Sequence, residues 1–448
     1  MERDLTTGSI TKTMVLFAIP MILGNLLQQF YNVADTWVVG RFLGPNALAA
    51  VGSSYSLMTF LTSVVLGLCM GSGTVFSIFY GAENRDKMKN SMFVSFVLIF
   101  LVALSMNVAV ILLRDQILVW MGVPEDVSGL MGEYLQVIFL GILFTFLYNY
   151  FAFLLRSIGN SVVPLVFLAV AAVLNVGLDF LFVMGLKRGV AGAAEATVLA
   201  QGFSGLGLAF YTLVKEKQLR LQKQHLFFSV AMMKEIAQAS VLTCLQQSVM
   251  NFGILLVQGI INGFGMVVMA AHAAAVKIDS FAYMPVQDFG NAFSLFVAQN
   301  YGAKKKDRIR KAMVEAAKIA ALFCVIISVG VCVLALPLMH FFIAPEETEI
   351  VAVGVQYLRI EGSFYLGIGC LFLLYGFYRA IKRPGMSLVL TVVSLGTRVV
   401  LAYVLSPMES IGTVGIWAAI PIGWFLADAV GIGYYLYCKK RKDLLDLA

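Results

Sequence analysis

Asn25, Gln28, Asn32 and Asp35 recur at steps of three, four and three inside an otherwise apolar stretch. That spacing puts four polar side chains on one face of a helix. Asp35 is the costly member, because a carboxylate at the centre of a membrane span costs about 2.5–3.5 kcal/mol on insertion scales. Pro20 lies upstream in the same stretch. Its ring removes one backbone hydrogen bond and crowds the preceding turn, so it is the expected hinge. A second pair, Asn175 and Asp179 in "VLNVGLDFLF", stands four residues apart on one face, and Thr197 follows the glycine-rich turn "RGVAG". Asp35, Asn175, Asp179 and Thr197 together offer two carboxylates, an amide and a hydroxyl. Oxygen donors of this kind suit a hard cation such as Na⁺, and a carboxylate pair can instead share one proton. Either way the set calls for one positive charge, which a proton, a metal ion or an organic cation supplies. The plainer alternative is a packing role beside a basic partner, but no Lys or Arg falls within the spans of the N-terminal half.

The elements that carry these residues follow from composition. The chain has 448 residues, 60% hydrophobic and 13% charged, where a soluble protein carries roughly 25% charged residues. Apolar windows of about 20 residues, the length of a bilayer-spanning helix, succeed one another from Thr13 to Tyr437. They lack the alternation of a membrane barrel. The expected fold is all-α and polytopic, with twelve spans near 13–39, 50–78, 91–113, 132–155, 162–184, 190–214, 236–262, 270–298, 313–336, 350–378, 385–405 and 413–437. The net charge of +7 resides in short loops and sets orientation rather than marking a nucleic-acid partner. Basic loops such as "GAENRDKMKNS", "GAKKKDRIRK" and "RAIKRPG", with the tail "KKRK", alternate with the acidic "GVPEDVSGLMGE" and "APEETE". Only Arg41, Arg114, Lys187 and Arg188 fall in the odd-numbered loops, so both termini are expected in the cytoplasm of a cell-membrane protein. The mixed-charge start "MERDLTTGSITK" reads as retained rather than as a cleaved signal.

The chain also repeats itself. "YGAENRDKMKNSM" aligns with "YGAKKKDRIRKAM", "LLRSIG" with "FYRAIK", and "GVAGAAEA" with "GTVGIWAA". Repeats of six spans enter and leave on the same side, so two lobes of equal orientation are expected, related by a pseudo-two-fold along the membrane normal. Their expected limits are 1–214 and 236–448, joined by a cytoplasmic linker at 215–235 whose "LFFSVAMMKEIAQAS" suggests an interfacial helix. With the two YGA loops in register, Tyr80 on Tyr301, Asp35 falls opposite Leu256. With Gly189 laid on Gly412, Asn175, Asp179 and Thr197 fall opposite Arg398, Ala402 and Ile420. The cation chemistry therefore belongs to one lobe. Asp288, Glu361, Arg398 and Asp428 suggest an internal charge network in the other, with Arg398 meeting Glu361 or Asp428. Glu195 lies near an outer span end. The six cysteines stand singly, and His225, His272 and His340 have no metal-like neighbours, so no cofactor is expected beyond a coupling ion. No HExxH or GxSxG motif suggests an enzyme.

The first span "IPMILGNLLQQFYNVADTWVVG", with "GSGTVFSIFYGA", "LLRSIGNSVVPL", "LNVGLDFLF", "GVAGAAEATVLAQ" and "FVAQNYGAKKKDRIRKA", resembles the MATE (multidrug and toxic compound extrusion) transporters along essentially the whole chain. The resemblance implies two six-helix lobes around a V-shaped cleft. It further implies antiport, in which an amphipathic organic cation leaves as Na⁺ or H⁺ enters. In the branch resembled, Asp35, Asn175, Asp179 and Thr197 match an N-lobe cation site. Gln28, Tyr31 and Asn149 match cleft-lining positions, and Asn32, on the helical face of Gln28, is expected beside them. Another branch uses acids in spans seven and ten, but here span seven reads "CLQQSVMNFG" without an acid. A monomer would hold a complete pathway. The alternative is a flippase or exporter for a lipid-linked or specific metabolite, although a diphosphate carrier would be expected to show several Arg and Lys where this lobe shows carboxylates and amides.

Overall fold

The computed structural model describes residues 3–121, 123, 125–408 and 411–440; the end of the basic tail from Arg441, and Gly122 and Pro124 of the first acidic loop, lie outside them. Among the described residues the secondary structure is helical, with no strand. Ten helices are long and apolar enough to cross a membrane, and two bent pairs bring the spans to twelve.

The first half holds α1 (Ile10–Phe42), α2 (Pro45–Gly81), α3 (Arg85–Leu112), the short α4 (Arg114–Trp120), α5 (Glu125–Ile138), α6 (Gly141–Ser157), α7 (Val162–Asp179) and α8 (Gly189–Lys215). The second holds α9 (Val230–Asn262), α10 (Met266–Gly302), α11 (Lys306–Phe342), α12 (Thr348–Gly362), α13 (Tyr365–Ala380), α14 (Pro384–Leu405) and α15 (Thr413–Lys440). The repeat is written into the backbone. Positive φ angles fall at Gly44 and Gly265, at Glu83 and Lys304, at Gly159 and Lys382, and at Gly189 and Gly412. The first two pairs keep the register of the YGA loops, and the last two keep the register of "GVAGAAEA" on "GTVGIWAA". Non-glycine residues rarely take this conformation, so Glu83, Lys304 and Lys382 mark turns that the flanking helices enforce.

The chain divides into two compact units, one built on Leu23–Cys244 and one on Leu5–Ile22 with the chain from Leu245 onward. The divisions fall inside α1, just past Pro20, and inside α9. Leu5–Ile22 is tied to the second unit by polar contacts: Asn300 Nδ2 donates to the Leu5 carbonyl (3.0 Å), Lys305 Nζ to the Thr6 carbonyl (2.8 Å), and Thr11 Oγ1 to Glu315 (3.1 Å). The start of α9 is tied to the first unit, where Ser72 and Ser240 pair at 2.9 Å. Gly67 and Gly71 permit that approach, since a Cβ there would meet the Cys244 Cα at 2.5 Å and the Ala239 carbonyl at 2.4 Å. Small residues let membrane helices close in this way.

The fourth and tenth spans are each broken, α5 to α6 by 44° and α12 to α13 by 52°, where sequence periodicity suggests single helices. No proline lies at either break. In the first, the Asn107 amide of α3 donates to the Phe139 carbonyl at 2.5 Å, taking a group that a continuous helix would use. In the second, Gly362–Ser363 interrupts the helix, and Ser363 Oγ caps the Arg359 carbonyl at 2.6 Å. Inserted side chains and Gly/Ser pairs are known causes of such kinks. The linker also departs from expectation: residues 226–229 are not helical, and α9 begins at Val230. Asn90 Nδ2 donates to the carbonyls of His225 (3.0 Å) and Phe227 (2.8 Å), which holds this segment out of a helical ladder.

Candidate functional site

In the first unit α5 packs against α2 and α8, and α7 against α8. The surrounding core includes Val38, Val39, Val51, Leu135, Val183 and Ala194. This apolar wall brings the polar set together away from water. Asp35 is 9% exposed, Asn175 1% and Asp179 0%, and Thr197 is half-buried. Asn175 Nδ2 donates to Thr197 Oγ1 at 3.3 Å, which orients the amide oxygen away from the hydroxyl. Asp35 Oδ1, Asn175 Oδ1 and both Asp179 oxygens are buried without a protein hydrogen-bond partner. Asp35 and Asp179 feel each other's charge. Among the described residues, neither acid meets a basic side chain.

A buried carboxylate with no partner is expensive, and the cost falls only when positive charge arrives. The available donors are oxygens. Among the described residues no group of three or more His, Cys, Asp or Glu side chains gathers to hold a metal. Oxygen donors suit hard cations as a class.

Immediately after Asp179 the helix widens into a π-helical segment, Phe180–Gly185, with the Leu186 N–H donating five residues back to Leu181 at 2.8 Å. Such bulges are frequent at functional sites, and this one ends α7 on the acid. Two tyrosines flank the carboxylates. Tyr31 meets the Gln28 side chain and lies within range of Asp35. Tyr134 of α5, 7% exposed, lies within range of Asp35, Asp179 and Tyr31. Asn149 donates to the Thr145 carbonyl one turn back at 2.9 Å, Asn32 is half-buried, and Pro20 sits buried inside an unbroken α1.

Tyr134 escapes a reading of the sequence because "GEYLQ" places no other buried polar group in helical register with it. The repeat supplies a signal. Tyr134 and Tyr357 are partners in the same register as Gly189 and Gly412, and each faces an acid.

Of the four residues grouped from sequence, the second unit places Glu361 near Arg398 and Asp428 elsewhere. Glu361 lies within range of Arg398 and beside Tyr357. Its other acidic neighbour is Asp279 of α10, which the sequence reading passes over. Asp428 instead meets Cys370, because α15 turns that acid toward α13 rather than toward Arg398 on α14. Asp288 is buried with a partner of its own. Glu195 pairs with Arg188 at 2.8 Å. His225, in the linker, is buried and bonded to Asp86 at 3.1 Å.

Twelve spans in two sequence repeats, with unpaired acids inside one of them, define a polytopic membrane transporter. Relatives make the class particular. The MatE family model matches residues 20–181 and 240–404. The chain is 31% identical to the "Probable multidrug resistance protein YpnP" of Bacillus subtilis over 98% of this chain and 97% of that one. It is 23% identical to the "Probable multidrug resistance protein NorM" of Thermotoga maritima over 97% and 94%. A solved structure of a MOP superfamily transporter from Pyrococcus furiosus, described with a binding pocket of reverse polarity, shares the fold at a TM-score of 0.92, with 24% identity, covering 99% of this chain and 98% of that one. The chain belongs to the MATE family of membrane transporters.

Proposed function

We propose that this transporter exports amphipathic organic cations, drugs among them, in exchange for H⁺ or Na⁺ bound among Asp35, Asn175, Asp179 and Thr197. The observation that carries the reading is the pair of buried aspartates, with Asp35 Oδ1 and both Asp179 oxygens unpartnered and, among the described residues, no basic side chain meeting either. A site short of one positive charge can be satisfied by a cationic solute or by an ion, but not by both at full strength. Competition for that charge is the physical basis of exchange. Proton or sodium binding removes the negative charge, weakens the hold on an organic cation, and lets α1 rearrange near Pro20, where one backbone hydrogen bond is already missing. Tyr31, Gln28, Asn32 and Asn149 give the solute aromatic and amide contacts, and a tyrosine face attracts an organic cation directly.

The driving force is adequate. A gradient supplies about 1.4 kcal/mol per pH unit, and the membrane potential adds about 2.3 kcal/mol per charge per 100 mV. Both termini lie in the cytoplasm in this reading, because the basic loops cluster on their side, and one chain works alone. The names of the relatives YpnP and NorM as multidrug resistance proteins support the substrate class. Dye accumulation in cells is the direct test. Expression of the wild type should lower uptake of an ethidium-like cation, and equal accumulation with and without the protein would defeat the reading.

A further inference from the structure

We infer that the second unit carries a site for an anionic phospholipid where the start of α1 meets α11: the lipid phosphate lies on Arg310 and Lys311, and its chains follow the exposed face of α11. The inference concerns a surface of that unit and does not depend on the exchange at Asp35 and Asp179.

Ile10 of α1 and Arg310, Lys311, Val314 and Glu315 of α11 line a cavity of about 430 Å³. Its surroundings are basic: residues 304–318 hold seven Lys and Arg against two acids, Asp307 and Glu315. Both acids are engaged. Glu315 accepts from Lys318 at 2.9 Å and from Thr11 at 3.1 Å, and Asp307 meets Arg310 Nη1 at 3.5 Å. Arg310 and Lys311 stay exposed, a planar guanidinium and an ammonium side by side, and both bind phosphate oxygens. From Lys311 onward, Val314, Lys318, Leu322, Val325, Val329 and Val333 follow at steps of three and four, one face of the helix, and all are exposed. Residues 319–339 carry no charge, about 32 Å of helix and close to the thickness of a hydrocarbon core. Lys318 therefore marks the hydrocarbon edge. Arg310 and Lys311 stand about 10–12 Å further out, and their long side chains reach back into the headgroup layer.

The first repeat shows the same place covered by the chain itself. In the register of the YGA loops, Asn90, Phe93 and Phe228 match Lys311, Val314 and Thr7. In the first unit Phe228 packs on Phe93 at 5.2 Å, and Asn90 holds the His225 and Phe227 carbonyls. In the second unit a threonine stands at the position of that aromatic ring and a lysine at that of the amide. Val314 is accordingly 55% exposed beside a cation. An apolar wall under two basic side chains at headgroup depth is the complement of a lipid with a negative head.

Native mass spectrometry of the purified full chain, titrated with phosphatidylglycerol or with phosphatidylcholine, tests the site. Phosphatidylglycerol should be retained in preference to phosphatidylcholine. Arg310→Gln combined with Lys311→Gln should weaken its retention about thirtyfold, about fivefold for each basic residue near an anionic surface. Lys87→Gln combined with Lys89→Gln, an equal loss of charge on α3, should leave the preference in place. Val314→Gln should weaken the lipid too, and millimolar inorganic phosphate should not displace it, which separates a lipid from a free anion. In case a variant fails to fold, the unaltered chain offers a second measurement: a photoactivatable phosphatidylglycerol should label α11 around Val314. Equal retention of the two lipids, an undiminished preference without Arg310 and Lys311, an equal loss from the α3 changes, displacement by inorganic phosphate, or labelling confined to other helices would each overturn the inference.

Discussion

Asp35 and Asp179 differ from the other buried polar groups of their unit in what surrounds them. Ser54, Ser72 and Thr74 return their hydroxyls to carbonyls one turn back in their own helix, and Asn90 and Asn107 hold carbonyls of neighbouring segments. Among the described residues, Asp35 Oδ1 and both Asp179 oxygens have no such partner. Asp35→Asn should therefore leave insertion intact and abolish dye efflux, and Asp179→Asn should do the same. The double variant should be no worse than either alone, since residues acting as one unit are not additive; measured efflux rates with membrane expression as a control decide this. Tyr134→Phe should fold normally and weaken ion binding by about tenfold, about 1.4 kcal/mol, read as a shift in the Na⁺ or H⁺ concentration giving half-maximal efflux. The acids are legible in the sequence because any carboxylate in an apolar span stands out. Asp279 is not, because Lys277 close by in "AVKIDSF" makes the pair look like a polar stretch. Only the fold shows that Asp279 turns toward Glu361 and Tyr365.

At the scale of elements, the lengths and order of the spans follow from hydropathy, and the structure keeps all twelve as ten helices and two bent pairs. What hydropathy does not contain is the bending. The break between α5 and α6 depends on Asn107 from another helix, so no local pattern announces it. Asn107→Ala should remove one of two donors to the Phe139 carbonyl, which keeps the Ile142 N–H at 3.1 Å, a loss of about 0.5–1.5 kcal/mol, and should lower the melting temperature in detergent. The π-helical turn after Asp179 is equally silent in "DFLFVMG". Close helix approach leaves a clearer trace in composition: "VVLGLCMGSG" spaces small residues along α2. Gly71→Val would push side-chain carbon into the Ala239 carbonyl and the Ser240 Cα. It should destabilise the first unit by about 1–3 kcal/mol, the usual cost of overpacking, with thermal unfolding as the measurement.

The whole molecule is a duplicated chain whose two units have diverged in charge. The backbone repeats at Gly44 and Gly265 or Gly189 and Gly412, while one register carries the amide of Asn175 in the first unit and the guanidinium of Arg398 in the second. Each unit also takes in a helix segment from the opposite half of the sequence, residues 5–22 in one case and the start of α9 in the other. Asn90, through the His225 and Phe227 carbonyls, fastens the linker between the halves. Asn90→Ala should open residues 220–228 to limited proteolysis without loss of the folded units. The central claim is that ion and organic cation compete for one acidic site. Purified protein in vesicles, given an imposed Na⁺ or pH gradient and a fluorescent cation, tests it most directly. Wild-type protein should move the cation against its own gradient while dissipating the imposed one, and the Asp35→Asn protein should do neither. Cation movement by the wild type with no accompanying ion flux, or undiminished exchange by Asp35→Asn, would contradict the account.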